Sequence, residues 1–556
     1  MRIILKNCIK YYNTIRYLRP IQIIGQIRIR LNKSKRIKVD FSKDFELTQT
    51  ANPWTSPARR TKRMIEKNVF NINNVTRKVL NKDDWNDLSL NKLWLYNLHY
   101  FDDLNAIDSE QRREWHYEYI SKWVEHNPPG EGNGWESYTV SLRIVNWIKW
   151  HLNGSYLKDL AIQSLLLQAR YLSNNLETHL LGNHLFANGK ALIFAGIFFN
   201  HEESKLWYQK GLSILSNELS EQILKDGGSF ELSTMYHVIL LEDLLDILNI
   251  HLTYNKNIPD SLIDKICLMF DWLKVMCHPD GEISFFNDAA FKVSPSFSEI
   301  ESYIKRIKNI IDLDINLKKK NKEKLINLNA SGYSRIQSKN VVLLIDRAAI
   351  GPDFLPGHAH ADTLSFELSL FNKRVIVNSG TSTYEVGEER DHQRGTTAHS
   401  TVAIDSQNSS ETWGSFRVAK RAKTFNFKSD VQKGKMIVSA SHNGYHRLKG
   451  KPTHTRKWQL GDNLLEITDD ITGRGNHNMI AVFPLHPEVR LLSFDKEKVN
   501  LDLFGKQIEI LFFGQGELVL KDSYYYPEFG LALQNMHLYY KLSGRLPVQL
   551  ITKVIW

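Results

Sequence analysis

The chain contains little cysteine and no long hydrophobic segment. Its 556 residues include three cysteines, Cys8, Cys267 and Cys277, and their spacing matches no metal-binding motif. This scarcity excludes a disulfide-stapled secreted scaffold and favours a reducing compartment. Apolar stretches such as Ala191–Phe199 reach about half of the roughly 18 residues that a membrane-spanning helix needs. The N-terminal segment also lacks the apolar core and cleavage site of a secretory signal, so we expect a cytoplasmic protein.

Acidic residues are missing from the first 39 positions. That segment, the basic arm, holds eleven basic residues, which equals the net charge of +11 of the whole chain, so the rest is formally neutral. A neutral body without a recognised nucleic-acid motif argues against nucleic acid as a partner. The arm suits peripheral contact with an anionic membrane, such as the inner membrane face, or with an acidic polymer. A solvated helix packed on the domain edge explains it equally well.

Two regions of different periodicity follow the arm. From about residue 90 to 310, apolar residues recur at intervals of three and four, as in 157–172, 206–223 and 239–251. Glycine-containing breaks separate these runs, which predicts antiparallel helix pairs arranged as a ring or solenoid. Beyond residue 328, short β-type runs divided by Gly, Asn and Asp predict an antiparallel sandwich. Six of these runs are 374–378, 401–405, 436–440, 464–468, 479–483 and 507–513.

These patterns divide the chain into four segments. We expect the basic arm at 1–39, a helical domain at 40–312, a charged linker at 313–328 and a β-sandwich at 329–556. The fold class is therefore multidomain α+β. Residues with catalytic potential cluster in 357–399, at the start of the sandwich, so a ligand cleft is expected where the sandwich faces the helical domain.

The segment GHAHADTLSFEL at 357–368 carries two histidines and an acid at a spacing of two. On a strand, this period would place His358, His360 and Asp362 on one face of a sheet. Histidine changes charge near neutral pH, so two of them beside an acid suggest acid–base catalysis or a metal site. The alternative is a polar, solvated sheet face on which the histidines are incidental.

Two further candidates stand at predicted helix starts. Asn183 and His184 begin the helix of GNHLFANGKALIFAG, where free backbone N–H groups and the helix dipole suit a carboxylate ligand. Asn183 could equally be only the N-cap of that helix. Tyr236 begins the helix that follows DGGSFELS, where a tyrosine is most often an amphipathic core residue. Arg390, Arg394 and His399 follow in EERDHQRGTTAHSTVAID, close to a strand.

Six segments in this order resemble the heparinase II/III family of polysaccharide lyases. They are GWESYTVSLRIVNWIKW, GNHLFANGKALIFAGIFF, DGGSFELSTMYH, GHAHADTLSFEL, VIVNSGTSTYEVGEERDHQRGTTAHSTV and WGSFRVAKRA. The resemblance implies an N-terminal incomplete α/α toroid followed by an antiparallel β-sandwich, with a cleft for an acidic polysaccharide between them. It implies β-elimination at a uronic acid residue, which cleaves the chain and leaves a 4,5-unsaturated sugar.

The resemblance also implies a role for each candidate. Asn183, helped by His184, matches the position that neutralises the uronate carboxylate. Tyr236 matches the acid that protonates the leaving O4 and, for one C5 configuration, also takes the C5 proton. His358 matches the base for the other configuration. Finally, Arg390, Arg394 and Tyr384 would bind substrate, and the two arginines together with the histidines would lower the pKa of Tyr236.

Some members of this family hold a structural zinc ion at positions that look like His360, Asn378 and His399 here. An amide is a poor zinc ligand and lacks the charge of the aspartate expected at position 378. We therefore expect no required cofactor, while the resemblance leaves a structural zinc ion open.

The resulting functional hypothesis is a polysaccharide lyase for a uronate polymer, of the glycosaminoglycan or alginate type. Because no export signal is evident, we expect it to act on a polymer that is being synthesised or that is imported as oligomers. Two alternatives remain: a uronate C5-epimerase, which shares the removal of the C5 proton, and a non-catalytic polysaccharide-binding or assembly factor. The sequence leaves the polymer and the oligomeric state open.

Overall fold

The computed structural model describes residues 2–31, 46–313, 315 and 324–556. The predicted linker at 313–328 therefore lies mostly outside the described residues, as do 32–39 of the predicted basic arm. The helices run over Arg2–Ile15 (α1), Pro20–Leu31 (α2), Lys92–Tyr100 (α3), Arg113–His126 (α4), Ser137–Trp150 (α5), Asp159–Asn174 (α6), Gly182–Phe198 (α7), Glu202–Gln222 (α8), Thr234–Thr253 (α9), Leu262–Met276 (α10), Phe297–Lys308 (α11) and Glu388–Gln393 (α12).

The strands up to residue 418 are Glu46–Leu47 (β1), Met64–Glu66 (β2), Val69–Ile72 (β3), Val75–Lys78 (β4), Phe199–Asn200 (β5), Lys324–Leu328 (β6), Tyr333–Ser338 (β7), Val341–Asp346 (β8), Phe366–Leu370 (β9), Lys373–Ile376 (β10), Val402–Ile404 (β11), Thr412–Trp413 (β12) and Arg417–Val418 (β13). Those that follow are Thr424–Gln432 (β14), Lys435–His442 (β15), Thr453–Gly461 (β16), Leu464–Thr472 (β17), Asn476–Pro484 (β18), Arg490–Phe494 (β19), Lys498–Leu503 (β20), Lys506–Phe513 (β21), Gly516–Glu528 (β22), Leu531–Arg545 (β23) and Val548–Ile555 (β24).

Helices α3 to α11 build one domain around a continuous apolar core. The predicted helical runs at 157–172, 206–223 and 239–251 fall in α6, α8 and α9, which confirms the helical assignment. Because these helices are apolar on the faces that meet, their leucines and isoleucines are buried together with large aromatic side chains such as Trp123 and Trp147. A small antiparallel sheet, β2-β3-β4, is an addition that the sequence analysis did not predict.

The second domain is made of antiparallel sheets. Their strand orders are β10-β9-β8-β7-β6, β11-β18-β23-β22 and β14-β15-β16-β17-β24-β21-β20-β19. Each of the six predicted β-type runs overlaps one of these strands, so the antiparallel sandwich is confirmed. A second apolar core lies between the sheets.

Strand β8 joins the two domains because both of its faces are buried. Val341, Leu343 and Ile345 point into the core of the sandwich. The alternate residues Val342 and Leu344 belong to a third cluster, which they share with side chains of the helical domain including Trp272. The alternation of a strand thus explains how one segment contacts two cores. This packing fixes one face of the five-stranded sheet against the helices.

One segment boundary differs from the sequence-based expectation. Strand β6 occupies the last five residues of the predicted linker and pairs with β7, because the charged run gives way to the sequence KLINL, in which Leu328 is buried. In the basic arm, residues 2–31 form α1 and α2. No helix of the described part of the chain is long and apolar enough to cross a bilayer.

The predicted strand at 358–362 is wrong. His358, His360 and Asp362 lie in a loop, and β9 begins only at Phe366. Leu364 has φ of 62°, in the left-handed region, which interrupts an extended chain before the strand. The shared sheet face therefore does not exist, and the two histidines meet through a different carboxylate.

Candidate active site

A cavity of ≈ 590 Å³ lies between the helical domain and the sandwich. Both domains contribute to its wall. The wall includes Tyr138, Asn183, His184, Glu231 and Tyr236 from the helical domain, and Leu355, His358, Tyr384 and Phe416 from the sandwich. The structure thus brings Asn183, His184, Tyr236, His358 and Tyr384 to one cavity.

The start of α7 presents Asn183 and His184 to the cavity. Leu181 and Gly182 both have positive φ, of 63° and 56°, which turns the chain sharply into the helix. A side chain at Gly182 would clash with Leu355, so this turn requires glycine. His184 Nδ1 lies 3.1 Å from Glu177 Oε1, and this contact orients the imidazole.

Tyr236 stands in the first turn of α9, where Ser233 caps the helix by accepting a hydrogen bond from the backbone N–H of Tyr236. The Tyr236 hydroxyl lies 3.0 Å from the Tyr384 hydroxyl. Burial, followed by the neighbouring Tyr384, raises the pKa of Tyr236 well above its usual value. The expected lowering of this pKa by the arginines and histidines is therefore wrong, and the phenol is held in its protonated form.

Asp288 is the centre of the polar network behind the cavity. His358 Nδ1 lies 2.9 Å from one carboxylate oxygen and His360 Nε2 lies 2.8 Å from the other. Arg390 donates to both oxygens, with Nη2 at 2.8 Å from Oδ2. Burial opposes ionisation, but Arg390 and the two histidines outweigh it and hold the pKa of Asp288 well below its usual range. An ionised Asp288 accepts hydrogen bonds only.

This acceptor fixes the tautomer of His358. Because Asp288 is a carboxylate, Nδ1 of His358 must carry the proton that it donates. The lone pair of a neutral His358 therefore lies on Nε2, which is 3.8 Å from Glu231 Oε2. The imidazole also stacks on Tyr236, with 3.9 Å between ring centroids. His358 is thus oriented as a base beside a protonated phenol.

Glu231 and Asp288 are site residues that the sequence analysis missed. Glu231 lines the cavity, and its Oε2 is buried without a hydrogen-bond partner among the described residues. Burial raises the pKa of Glu231, although His358 and His184 oppose the shift. The available signal was an acid set directly between apolar residues, as in Phe230–Leu232, because a buried charge requires a partner or a function.

Arg390 and Arg394 lie behind the cavity rather than in its wall. Both are fully buried, and neither belongs to the cavity wall. Arg390 is paired with Asp288, and Arg394 donates to backbone carbonyls of Ala359 and Gly414. Arg390, in the short helix α12, and Arg394, which directly follows that helix, both have their side chains in the protein interior, and their contact with substrate stays a prediction. Tyr384, the third predicted binding residue, does line the cavity.

The residues at the expected zinc position do not form a zinc donor set. His360 Nε2 is taken by Asp288, and Nδ1 lies 3.3 Å from His399 Nε2. Burial lowers the pKa of His360 to about 4 and that of His399 well below its usual value, so both rings are neutral. His399 can then donate to His360, which occupies the lone pair that a metal would need. Asn378 offers only a neutral amide, buried without a hydrogen-bond partner among the described residues.

The far wall of the cavity carries paired charges. Lys190 Nζ lies 2.7 Å from both Asp243 and Asp246, and Lys149 Nζ lies 2.9 Å from Asp246. Burial alone raises the pKa of Asp246, but Lys149 and Lys190 outweigh it and lower that pKa to about 2. Arg60 is paired with Glu242 at 2.5 Å. These cations are neutralised by their neighbours and add no excess positive charge.

Comparison with family models gives two matches that together span most of the chain. Residues 95–310 match the model described as Heparinase II/III N-terminus. Residues 320–549 match the model described as Heparinase II/III-like, C-terminal. The two matched ranges correspond to the helical domain and the sandwich.

Curated relatives are similar over part of their length. Heparin-sulfate lyase of Pedobacter heparinus is 26% identical over 327 residues, which cover 54% of this chain and 49% of that protein. Heparin-sulfate lyase of Bacteroides stercoris is 26% identical over 247 residues, which cover 42% of this chain and 37% of that protein. The similarity thus spans about half or less of each of these two relatives.

Solved structures share the fold. A structure of heparinase III superposes with a TM-score of 0.70 at 18% identity, covering 86% of this chain and 79% of that one. Chondroitin AC lyase of Streptomyces coelicolor superposes with a TM-score of 0.53 at 9% identity, covering 83% and 74%. At these identities the likeness establishes the architecture alone, a helical domain followed by antiparallel sheets.

Proposed function

Since the chain belongs to the heparinase II/III family, we propose that it is a polysaccharide lyase that cleaves a uronic-acid-containing polymer by β-elimination. One observation carries the proposal. The cavity between the domains brings together a protonated phenol, an oriented imidazole and an amide at a helix start, on Tyr236, His358 and Asn183. The names of the curated relatives, which are heparin-sulfate lyases, support the same reaction class.

In the proposed reaction, removal of the C5 proton and breakage of the C4–O4 bond occur together or one after the other. Nε2 of His358 takes the C5 proton, and the electron pair of that bond forms the C4–C5 double bond. The bond from C4 to O4 breaks, and the hydroxyl of Tyr236 gives its proton to the departing oxygen. Asn183 and His184 stabilise the charge that develops on the uronate carboxylate. The raised pKa of Tyr236 supports the role of acid rather than base in the ligand-free site.

The charge of the cavity wall supports a sparsely sulfated substrate. The carboxylates that line it are Asp102, Glu231, Glu242, Asp243, Asp246 and Glu385. The fixed cations among the described residues of the wall are Arg60, Lys92, Lys149 and Lys190. A densely sulfated chain would place many negative groups against these carboxylates, which is unfavourable at short range. A polymer with about one carboxylate per repeat avoids this cost.

A panel of uronate polymers with and without sulfate tests the proposal. Cleavage is followed by the ultraviolet absorbance of the unsaturated product, and deuterium incorporation at C5 is measured in heavy water. Rising absorbance on a sparsely sulfated polymer is the expected result. Deuterium in an uncleaved polymer would instead identify a C5-epimerase, and retention of the polymer with neither signal would identify a binding protein.

A further inference from the structure

Helix α2 is apolar on the side that faces solvent. Gln22 and Gly25 face the protein, with Gln22 donating to the Phe354 carbonyl and Gly25 packed against His179. On the opposite side, Ile23, Ile24 and Ile27 are between 39% and 51% exposed. A surface helix of a globular protein normally buries such residues and exposes the polar ones. The arrangement in α2 is reversed.

Helix α1 extends the same exposed apolar surface. Its side toward the protein carries Asn13, which is buried, and Thr14, which accepts a hydrogen bond from Trp413 Nε1. The exposed large apolar side chains of the two helices are Ile9, Tyr11, Tyr12, Ile15, Ile21, Ile23, Ile24 and Ile27. Eight such residues fall within nineteen positions, which is a local concentration rather than scattered exposure, and concentrations of exposed apolar side chains mark interaction sites.

The two helices are firmly seated beside the cavity. Arg19 forms an ion pair with Glu221 of the helical domain and lies over the ring of Phe354 of the sandwich. Helix α2 contacts His179 and Phe354. These two residues directly precede Leu180 and Leu355 in the sequence, and both leucines line the cavity. The exposed apolar surface is therefore fixed in position next to the cleft.

The charge of this segment identifies the chemistry of its partner. The first 39 residues carry eleven basic and no acidic side chains. Among the described side chains, Arg16 is exposed in the turn that directly follows α1, and Arg28 is exposed on α2 beside the isoleucines. Exposed apolar residues flanked by basic ones are the pattern of a helix that lies in the interface of an anionic membrane.

We propose that α1 and α2 dock on the surface of a bilayer that contains anionic lipids. Ile23, Ile24 and Ile27 enter the boundary between headgroups and acyl chains, while the basic side chains contact the lipid phosphates. Docking in this way holds the cleft beside the membrane. The inference is independent of the reaction that the cleft catalyses.

Other partners fit this surface less well. A second copy of the chain, paired through the same face, would bring the exposed Arg16 and Arg28 toward the same cations of its partner, as a two-fold interface is self-complementary. An acidic polysaccharide would be recognised by hydrogen bonds and charges, and it gives no reason for isoleucines to face solvent. A lipid surface accounts for both the charges and the apolar side chains.

Sedimentation of the full-length chain with vesicles tests the proposal. Vesicles of phosphatidylcholine alone are compared with vesicles that also contain phosphatidylglycerol, at low and at physiological salt. We expect binding to the anionic vesicles that weakens as salt rises. The double variant Ile24→Ser/Ile27→Ser should bind the anionic vesicles at least about tenfold more weakly, since each substitution removes an apolar side chain that inserts into the membrane. Arg16→Gln/Arg28→Gln should weaken binding and reduce its salt dependence.

The control is Leu88→Ser/Leu206→Ser, which removes two leucines that are 95% and 65% exposed on the body of the protein. It should bind like the parent chain, and all variants should melt at the parent's temperature because only exposed residues change. Equal binding by the isoleucine variant, equal loss in the control, or no preference for anionic vesicles would overturn the proposal. So would a lipid-free dimer that the isoleucine variant abolishes, or salt-sensitive binding to uronate polymer without vesicle binding.

Discussion

His358 stacks on Tyr236 with 3.9 Å between ring centroids and 29° between ring planes. The tyrosine belongs to a helix of the first domain and the histidine to a loop of the second, so the pair exists only when the two domains are packed together. Asp288 strengthens this arrangement, because it comes from the helical domain and binds His358, His360 and Arg390 of the sandwich. Domain packing and the assembly of the site are thus one event.

Replacing Tyr236 by phenylalanine removes the proposed acid and leaves the ring stacked on His358. We expect turnover to fall by about a hundredfold or more, with polymer binding retained, because general acid catalysis contributes about that factor. Steady-state kinetics and a polymer-binding assay measure the two effects. Tyr254→Phe is the matched control, since Tyr254 follows the far end of the same helix α9 and lies outside the cavity wall. Undiminished turnover of a folded Tyr236→Phe protein would mean that another group supplies the proton.

Asp288→Asn should lower the free energy of unfolding by about 3–5 kcal/mol, because it leaves the buried Arg390 without its charge partner. Urea denaturation measures this loss. The control, Glu301→Gln, breaks a surface ion pair with the exposed Lys305 and leaves no buried charge behind, so it should cost about 1 kcal/mol or less. Similar losses for both variants would contradict the central role assigned to Asp288.

The contribution of Asp288 should also depend on pH. Its folded pKa is held below the ordinary value of 3.8, so the stabilisation is present above that pH and is lost as pH falls toward the folded pKa. The difference in stability between the parent chain and Asp288→Asn should therefore shrink as pH is lowered below about 4. A difference that stays constant across this range would indicate a carboxyl group that is already protonated.

Glu231→Gln should have the opposite pH dependence. Burial raises the folded pKa of Glu231 above its ordinary value of 4.5, so ionisation destabilises the folded chain as pH rises through and beyond that value. The glutamine variant escapes this loss and should resist denaturant better than the parent at pH 7, while the two should be alike near pH 4. A less stable variant at pH 7 would show that the ionised carboxylate is itself a needed partner.

Removal of metal should leave turnover unchanged, because the donors around His360, Asn378 and His399 do not form a zinc set. Dialysis against a chelator, followed by metal analysis and kinetics, measures this. Asn378→Asp restores the carboxylate that zinc prefers and should raise the zinc content of the purified protein. Loss of turnover on chelation, reversed by added zinc, would contradict the interpretation.

The fold could be predicted where the pattern is periodic. The helical runs in α6, α8 and α9 and the alternating strands such as β15 and β17 were recognised because burial follows the period of each structure. The strand predicted at 358–362 was wrong because the same rule was applied to it. Its alternation is real in the sequence, but Leu364 adopts a left-handed conformation that no hydrophobic pattern encodes.

The candidate site could be predicted only in part from the sequence. Asn183, His184, Tyr236 and His358 stand in motifs, and the structure places all four at the cavity. Asp288, in contrast, acts through partners at least 70 residues away in the sequence. The same long-range pairing holds the side chain of Arg390 in the protein interior, behind the cavity wall. Which charges neutralise each other inside the protein depends on tertiary packing, and local spacing does not contain that information.

Cleavage of a sparsely sulfated uronate polymer in water enriched in heavy oxygen tests the central claim most directly. Elimination breaks the bond between C4 and O4 without adding water, so mass spectrometry should show one fragment with an unsaturated end that is lighter by one water molecule and carries no heavy oxygen in that end. The Tyr236→Phe protein should give neither fragment at a comparable rate. Saturated fragments that carry heavy oxygen would mean hydrolysis, and would contradict the assignment of Tyr236 and His358 as the acid and base of a lyase.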